Sequence, residues 1–325
     1  MTQKSATRRD FIHFLIAGAA AGGCVTAARA QTATNKTWRV AYANVTDEIP
    51  FGVAILKSMK VAAAKRPQLE LTWLDNRYDT AKSLEIARTV AAGGYDLFIE
   101  YNAQQAANGP ISKILKDADL KALSIQTPLP GFPLFAVDNV RAGTVSGRAL
   151  AETAGQVWGA STIPVPVIIG SPELGPIFQQ RAAGAQEAIA KLYPNVPFVE
   201  FSSKNDAGNA RQLVFDTLTR FPDRKLMIWV HIDSMALAAL AAVRNAKREQ
   251  DVLIASTGGD AAIFPEIRKT DSPVIGTYSF FPEFWGEEIF ALADKILKGE
   301  QVPDRSNPSD AQFVTRANIA KYYPQ

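Results

Sequence analysis

Trp38-Arg39-Val40-Ala41-Tyr42-Ala43, the segment 50–66, and Leu69-Glu70-Leu71-Thr72-Trp73-Leu74 together decide the fold. Two short runs rich in aliphatic and aromatic residues flank a stretch of helical length that opens on Pro50 and stops before Pro67. Proline costs no hydrogen bond in the first turn of a helix but breaks its interior, so both ends of that stretch are bounded. Strand, helix and strand in this order read as parallel strands joined by a helical crossover. The alternation continues outward, with further strands expected at 97–100, 122–125, 134–137, 165–169, 196–201, 226–230, 252–255 and 274–278. A last helix is expected from Pro282, repeating Trp285, Ile289, Leu292 and Ile296 on one face before Gly299 ends it.

Ten strands exceed what one compact parallel sheet usually holds, so the reading is α/β with two doubly wound parallel-sheet lobes. The break is expected near 138–143. Without a Ser/Gly-rich or proline-rich tether there, several short hinge strands are expected to join the lobes.

Ahead of this pattern, Arg8 and Arg9 precede an apolar run rich in alanine and glycine, which ends at Ala28-Arg29-Ala30. Paired arginines, a moderately apolar segment and a small-x-small site predict a twin-arginine export signal over 1–30 and a periplasmic location. The apolar run is too short for a membrane span, which takes about 20 residues. Lipid attachment at Cys24 is the second reading, although Ala21 stands where lipoprotein signals place leucine. Cleavage after Ala30 removes Lys4, Arg8, Arg9, Arg29 and Asp10, leaving 31 basic and 31 acidic residues from totals of 35 and 32. A neutral mature chain gives no support for nucleic-acid binding. With Cys24 the single cysteine and His231 the one histidine beyond His13, the mature chain has no disulfide and no Cys/His zinc set. No metal and no cofactor is expected. Stability has to come from the core, for which 47% apolar residues are ample.

In open parallel sheets ligands sit beyond the carboxyl ends of the strands, where helix N-termini offer free N–H groups. Six loops follow from that rule: 44–52, 100–105, 126–131, 170–181, 231–234 and 257–260. They carry Glu100, Gln126, Thr127, Arg181, His231, Asp233, Thr257 and Asp260 as polar candidates, and Phe51 and Tyr101 as aromatic faces for a sugar ring. Asp233 also reads as the N-cap of the helix that follows it. Nucleotide, acyl-transfer and metalloprotease motifs are absent from the sequence. His231, Asp233 and Ser171 leave a hydrolytic triad as a rival from another class.

The chain resembles the ribose-binding type of periplasmic sugar receptors, a branch of the type I periplasmic binding fold shared with LacI-type repressors. The resemblance spans nearly all of the mature chain. It rests on Ile49-Pro50-Phe51-Gly52, Val137-Asp138-Asn139-Val140, Asp233-Ser234-Met235-Ala236-Leu237 and Ala293-Asp294-Lys295-Ile296-Leu297-Lys298-Gly299-Glu300, taken in order. It implies a non-enzymatic, monomeric receptor that encloses a sugar, polyol or related small molecule. An ABC permease and its ATPase are the implied partners, with a membrane kinase or chemoreceptor as the sensory alternative. It further implies a first lobe of 36–138 plus 281–303, a second of 139–280 plus 304–325, and three hinge crossings. Phe51 matches the family's stacking aromatic and Arg181 its second-lobe arginine. Elsewhere the chain departs: Ile49 replaces an asparagine, Gln126 and Thr127 replace an Asp-Arg pair, and Asn205 replaces an aromatic. Ile232, Thr257 and Phe280 stand for asparagine, aspartate and glutamine. A less polar pocket predicts a ligand with fewer hydroxyls than ribose, such as a deoxysugar, a polyol derivative or a small carboxylated or aromatic compound, gripped by the Arg181 fork, which favours a carboxylate or paired oxygens.

Overall fold

The computed structural model describes residues 36–324; the expected signal peptide and Cys24 lie outside the described residues. The first lobe opens with β1 (Trp38–Asn44), α1 (Pro50–Ala64), β2 (Leu69–Asp75) and α2 (Thr80–Ala92). It continues with β3 (Leu97–Tyr101), α3 (Gln105–Asp117), β4 (Lys121–Ile125) and β5 (Leu134–Phe135). The second is built from α4 (Asn139–Trp158), β6 (Val165–Gly170), α5 (Pro176–Leu192), β7 (Val199–Ser202), α6 (Ala207–Arg220), β8 (Leu226–Val230), α7 (Asp233–Asn245), β9 (Val252–Gly258), α8 (Phe264–Arg268) and β10 (Val274–Ser279). The chain then returns through α9 (Trp285–Lys298), β11 (Arg305–Ser306), β12 (Gln312–Thr315) and α10 (Ile319–Tyr322).

Two six-stranded sheets result, ordered β11-β5-β4-β3-β1-β2 and β12-β10-β9-β8-β6-β7. All pairs are parallel except β12, which runs antiparallel to β10. In each sheet the order reverses beside its first strand, between β1 and β3 and between β6 and β8. Such a switch point opens a crevice at the carboxyl edge of the sheet, because the flanking helices leave to opposite faces.

The strands are buried along their whole length where two helical layers cover them, as in β3, β6, β8 and β9. In α9, Trp285, Ile289 and Ile296 are buried as the sequence spacing predicts, and Gly299 closes the helix in the left-handed region.

The chain differs from the sequence expectation at the crossings. Residues 139–143, expected to hold the break, already form the first turns of α4, capped by the Asp138 carboxylate on the Arg141 N–H at 2.9 Å. The crossing is the extended stretch just before, so β5 stops at Phe135 short of the expected 137. The tail is also divided differently. Arg305 and Ser306, expected in the second lobe, pair with Leu134 and Phe135 in the first sheet, and the Arg305 guanidinium donates to the Val137 carbonyl at 2.8 Å. The unpaired edge of β5 takes up those backbone groups before the chain passes over to β12. Phe280 packs in the core that holds Trp285, whereas Phe281 packs in the core of the second sheet. Between them the chain crosses, and Phe281 adopts φ 51°, a conformation that a bulky side chain rarely takes.

Helices α4 and α5 meet along small residues. A Cβ on Gly143 would overlap the Arg181 carbonyl, and one on Gly147 would lie 2.7 Å from the Ala185 Cα. Gly143→Ala is therefore expected to destabilise the protein by about 1–3 kcal/mol through overpacking. Urea unfolding checks this: an unchanged midpoint would mean that the helices can separate at no cost.

Candidate functional site

Where the carboxyl edges of the two sheets face each other lies a cavity of about 210 Å³, lined from both lobes. Gly175, two residues before the lining Ile177, approaches Gln105, two residues after the lining Ala103. A Cβ added to Gly175 would lie 3.3 Å from Gln105 Oε1. Gly175 also holds φ 109°, which only glycine adopts without strain, so the two segments can come this close.

Nine of the sequence candidates line the cavity: Phe51, Tyr101, Gln126, Thr127, Arg181, Asn205, Thr257, Asp260 and Phe280. Phe51, in the first turn of α1, stands edge-on to Phe280 at 5.9 Å and to Trp285 at 5.3 Å, so its ring is set by packing. Tyr101 ends β3, and burial raises its phenol pKa. Gln126 follows β4 with φ 64° and accepts from the Val137 N–H at 3.3 Å, while Asn205 sits at φ 55°. With Tyr78 at φ 54°, left-handed backbone at three non-glycine residues facing one cavity is strain of the kind that gathers at binding sites. Thr127 is buried, and its hydroxyl has no partner among the described residues.

Arg181 is held more firmly than its sequence suggests. Its Nε and Nη2 donate to Asn139 Oδ1 at 3.0 and 2.7 Å, and its Nη1 to the His231 carbonyl and Thr257 Oγ1, both at 2.9 Å. The guanidinium carbon lies 5.0 Å from the Phe280 ring and 5.4 Å from that of Phe178. Burial lowers its pKa to about 10, so it stays charged at neutral pH. Four of its five N–H groups are thus committed, and the two-pronged carboxylate grip expected from sequence is not free to form.

Glu100, His231 and Asp233 do not line the cavity. Glu100 is buried in β3, accepts from Asn76 Nδ2 at 3.1 Å, and is pushed well above the usual carboxylate range by burial. Asp233 is not an N-cap: Ile232 holds that position and Asp233 is the first residue of α7. Its carboxylate accepts from Ser256 Oγ at 2.5 Å, Thr277 Oγ1 at 2.6 Å, the Gly259 N–H at 2.6 Å and the Asp260 N–H at 2.8 Å. His231 Nδ1 faces the Ile169 carbonyl at 3.2 Å, and Ser171 Oγ bonds Ser203 Oγ at 2.9 Å. The three side chains of the considered triad are therefore bonded elsewhere and not to one another.

Burial, and then the charge of Arg181, lowers the His231 pKa to about 3. The folded state holds this ring neutral while the unfolded chain protonates near pH 6.5. The stability it contributes is complete above pH 6.5 and is lost as pH falls from there toward 3, at up to about 1.4 kcal/mol per pH unit. Asp260, whose carboxyl is raised to about 7, contributes the opposite slope over much of this range, so the difference between wild type and His231→Gln in urea titrations from pH 8 to 4 is expected to show the His231 slope; parallel curves for the two proteins would contradict the assignment.

Tyr78 and Phe178 also line the cavity and are not among the sequence candidates. Tyr78 lies on the loop after the edge strand β2, outside the six loops considered. Phe178 stands three residues before Arg181 on one face of α5, a spacing that could have pointed to it. Asp260 ends the loop after β9; burial, and then the neighbouring Asp233, push its carboxyl up to about 7.

Two doubly wound lobes, three crossings and a cavity walled by both sheet edges define a two-lobed binding protein of the type I periplasmic fold. The profile of the periplasmic binding protein domain matches residues 40–301, and the chain belongs to that family. It is similar to the ribose import binding protein of Escherichia coli (strain K12), 26% identical over 270 residues, which cover 82% of this chain and 87% of that protein. A D-ribose/D-allose-binding protein of Pseudomonas aeruginosa is 26% identical over 264 residues, covering 75% and 76%. Among solved structures, an ABC transporter solute-binding protein of Mycobacterium smegmatis with bound glycerol superposes with a TM-score of 0.79 at 21% identity, covering 89% of this chain and 98% of that one. One of Actinobacillus succinogenes with bound D-allose gives 0.77 at 19%, covering 88% and 100%.

Proposed function

We propose that this chain is the periplasmic solute-binding component of an ABC importer, which captures a sugar or sugar-like small molecule and presents it to a permease with an attached ATPase. The observation that carries the reading is the cavity at the facing switch points, where both lobes contribute aromatic faces and polar groups without partners, such as Thr127 Oγ1. A ligand placed there touches both lobes only when they are closed, so its binding energy shifts an open ensemble toward the closed form. Bending at the three crossings serves that closure, and no catalytic step is assigned. Export through the twin-arginine route with loss of residues 1–30, and action as a monomer, belong to the same reading.

The ligand relatives named for ribose or allose give the class. The departures at Ile49, Gln126, Thr127, Ile232, Thr257 and Phe280 favour a compound with fewer hydroxyls than ribose, because buried polar groups discriminate strongly against ligands that leave them unpaired. Native mass spectrometry of the purified protein is expected to find a retained small molecule, and calorimetry against sugars, polyols and related compounds to rank ribose low. Tight ribose binding would refute the ligand class; absence of any retained or bound small molecule would refute the capture role.

A further inference from the structure

The cavity has an acidic corner in which no ion pair forms among the described residues. The Asp233 carboxylate accepts from the Asp260 N–H at 2.8 Å and so stands beside the Asp260 carboxyl, which it helps to push up, and no lysine or arginine is in salt-bridge contact with either one. Asp233 is saturated by two hydroxyl and two backbone donors. Asp260, in contrast, lines the cavity with an Oδ1 that is shielded from solvent and has no partner. Arg181 feels Asp233 at a distance, but its N–H groups are largely spent on Asn139, Thr257 and the His231 carbonyl. Thr127, nine-tenths buried, turns a second unpartnered oxygen to the same cavity from the other lobe. These vacancies are positions for donors, and the surrounding faces are aromatic.

We propose that the ligand carries a protonated amine on a small ring, with the ammonium group held against Asp260 among the aromatic side chains and the ring enclosed between the lobes. This rests on the solute-capture reading and narrows its ligand class. A hydroxyl would satisfy Asp260 Oδ1 but leave the carboxyl protonated, because nothing would then offset the repulsion from Asp233 that its ionisation brings. An ammonium satisfies the oxygen, offsets that repulsion and gains from the ring faces of residues such as Tyr101 and Phe51. The charge balances simply. In the empty protein near pH 6 to 7 Asp260 holds a proton, its neighbours being Asp233 at the start of α7 and, across the cavity, the Tyr101 phenol and the Arg181 guanidinium. When the ammonium arrives that proton passes to solvent and the carboxylate faces the cation. Affinity therefore rises with pH through about 7, until the amine itself deprotonates.

Isothermal calorimetry with the mature protein, freed of retained ligand, tests this with matched pairs: D-glucosamine against D-glucose, D-galactosamine against D-galactose, and cyclohexylamine against cyclohexanol. In at least one pair the amine is expected to bind tenfold or more tightly than the alcohol at pH 7. Its binding enthalpy is expected to depend on the ionisation enthalpy of the buffer at pH 6.5, reporting the released proton. Asp260→Asn is expected to erase the preference and the proton release, with circular dichroism showing a folded protein. The proposal is overturned if the alcohols bind as tightly as the amines, if no amine binds, or if Asp260→Asn leaves the preference unchanged. Binding of the neutral members alone would overturn the amine assignment while leaving solute capture standing. The capture role itself fails on the separate evidence of native mass spectrometry.

Discussion

Arg181→Ala is expected to destabilise the protein by about 3 kcal/mol and to abolish ligand binding at the same time. The guanidinium is buried, and its loss leaves Asn139 Oδ1 facing a void without a donor and the His231 carbonyl with the Thr257 hydroxyl alone. Each buried acceptor left without a partner costs about 1–3 kcal/mol, and bonds to a charged donor are at the upper end. Two effects arise from one side chain because Arg181 ties the start of α4 to the ends of β8 and β9 as well as lining the cavity. From sequence alone the expectation is a binding defect without a folding defect; the committed hydrogen bonds change it. Arg181→Lys keeps a charge but cannot reach Asn139, Thr257 and the His231 carbonyl together, so it is expected to recover only part of the stability. Urea unfolding paired with calorimetry measures both quantities. A variant with wild-type stability and lost binding would show that the arginine serves the ligand only.

Asp233→Ala is expected to be as damaging to the fold. Two hydroxyls from β9 and β10 and two backbone N–H groups after β9 converge on one carboxylate. Removing it strands buried donors that water cannot reach, at a cost on the order of 3 kcal/mol. The loop that carries Asp260 loses its anchor, so any ligand affinity that survives folding is expected to fall as well. Thermal unfolding and a proteolysis assay on the 257–260 loop report the two effects. A variant that unfolds like the parent would mean that the loop is held by other contacts.

Most of the parallel strands are readable from the sequence because their burial on both faces demands continuous apolar runs, and such runs stand out against polar loops. Strand β11 is not readable for the opposite reason. Arg305-Ser306 has no apolar signal and is a strand only because β5 leaves an edge to pair with. The same contrast separates the site residues. Phe51, Tyr101 and Gln126 follow from the rule that strand ends face the crevice. Asp233 misleads because an aspartate before an alanine- and leucine-rich helix carries a local capping signature, whereas its actual partners, Ser256 and Thr277, come from strands far along the chain. Asn139 was visible only as part of a crossover motif; that it fills the fork of Arg181 is a fact of tertiary packing.

Small-angle X-ray scattering bears most directly on whether two hinged lobes shut around a guest. The protein is recorded after removal of its retained compound and again after that compound is returned. A smaller radius of gyration on addition, with the compound recovered chemically unchanged, is the predicted result. Superimposable profiles despite saturating binding, or recovery of the compound in altered form, would contradict it.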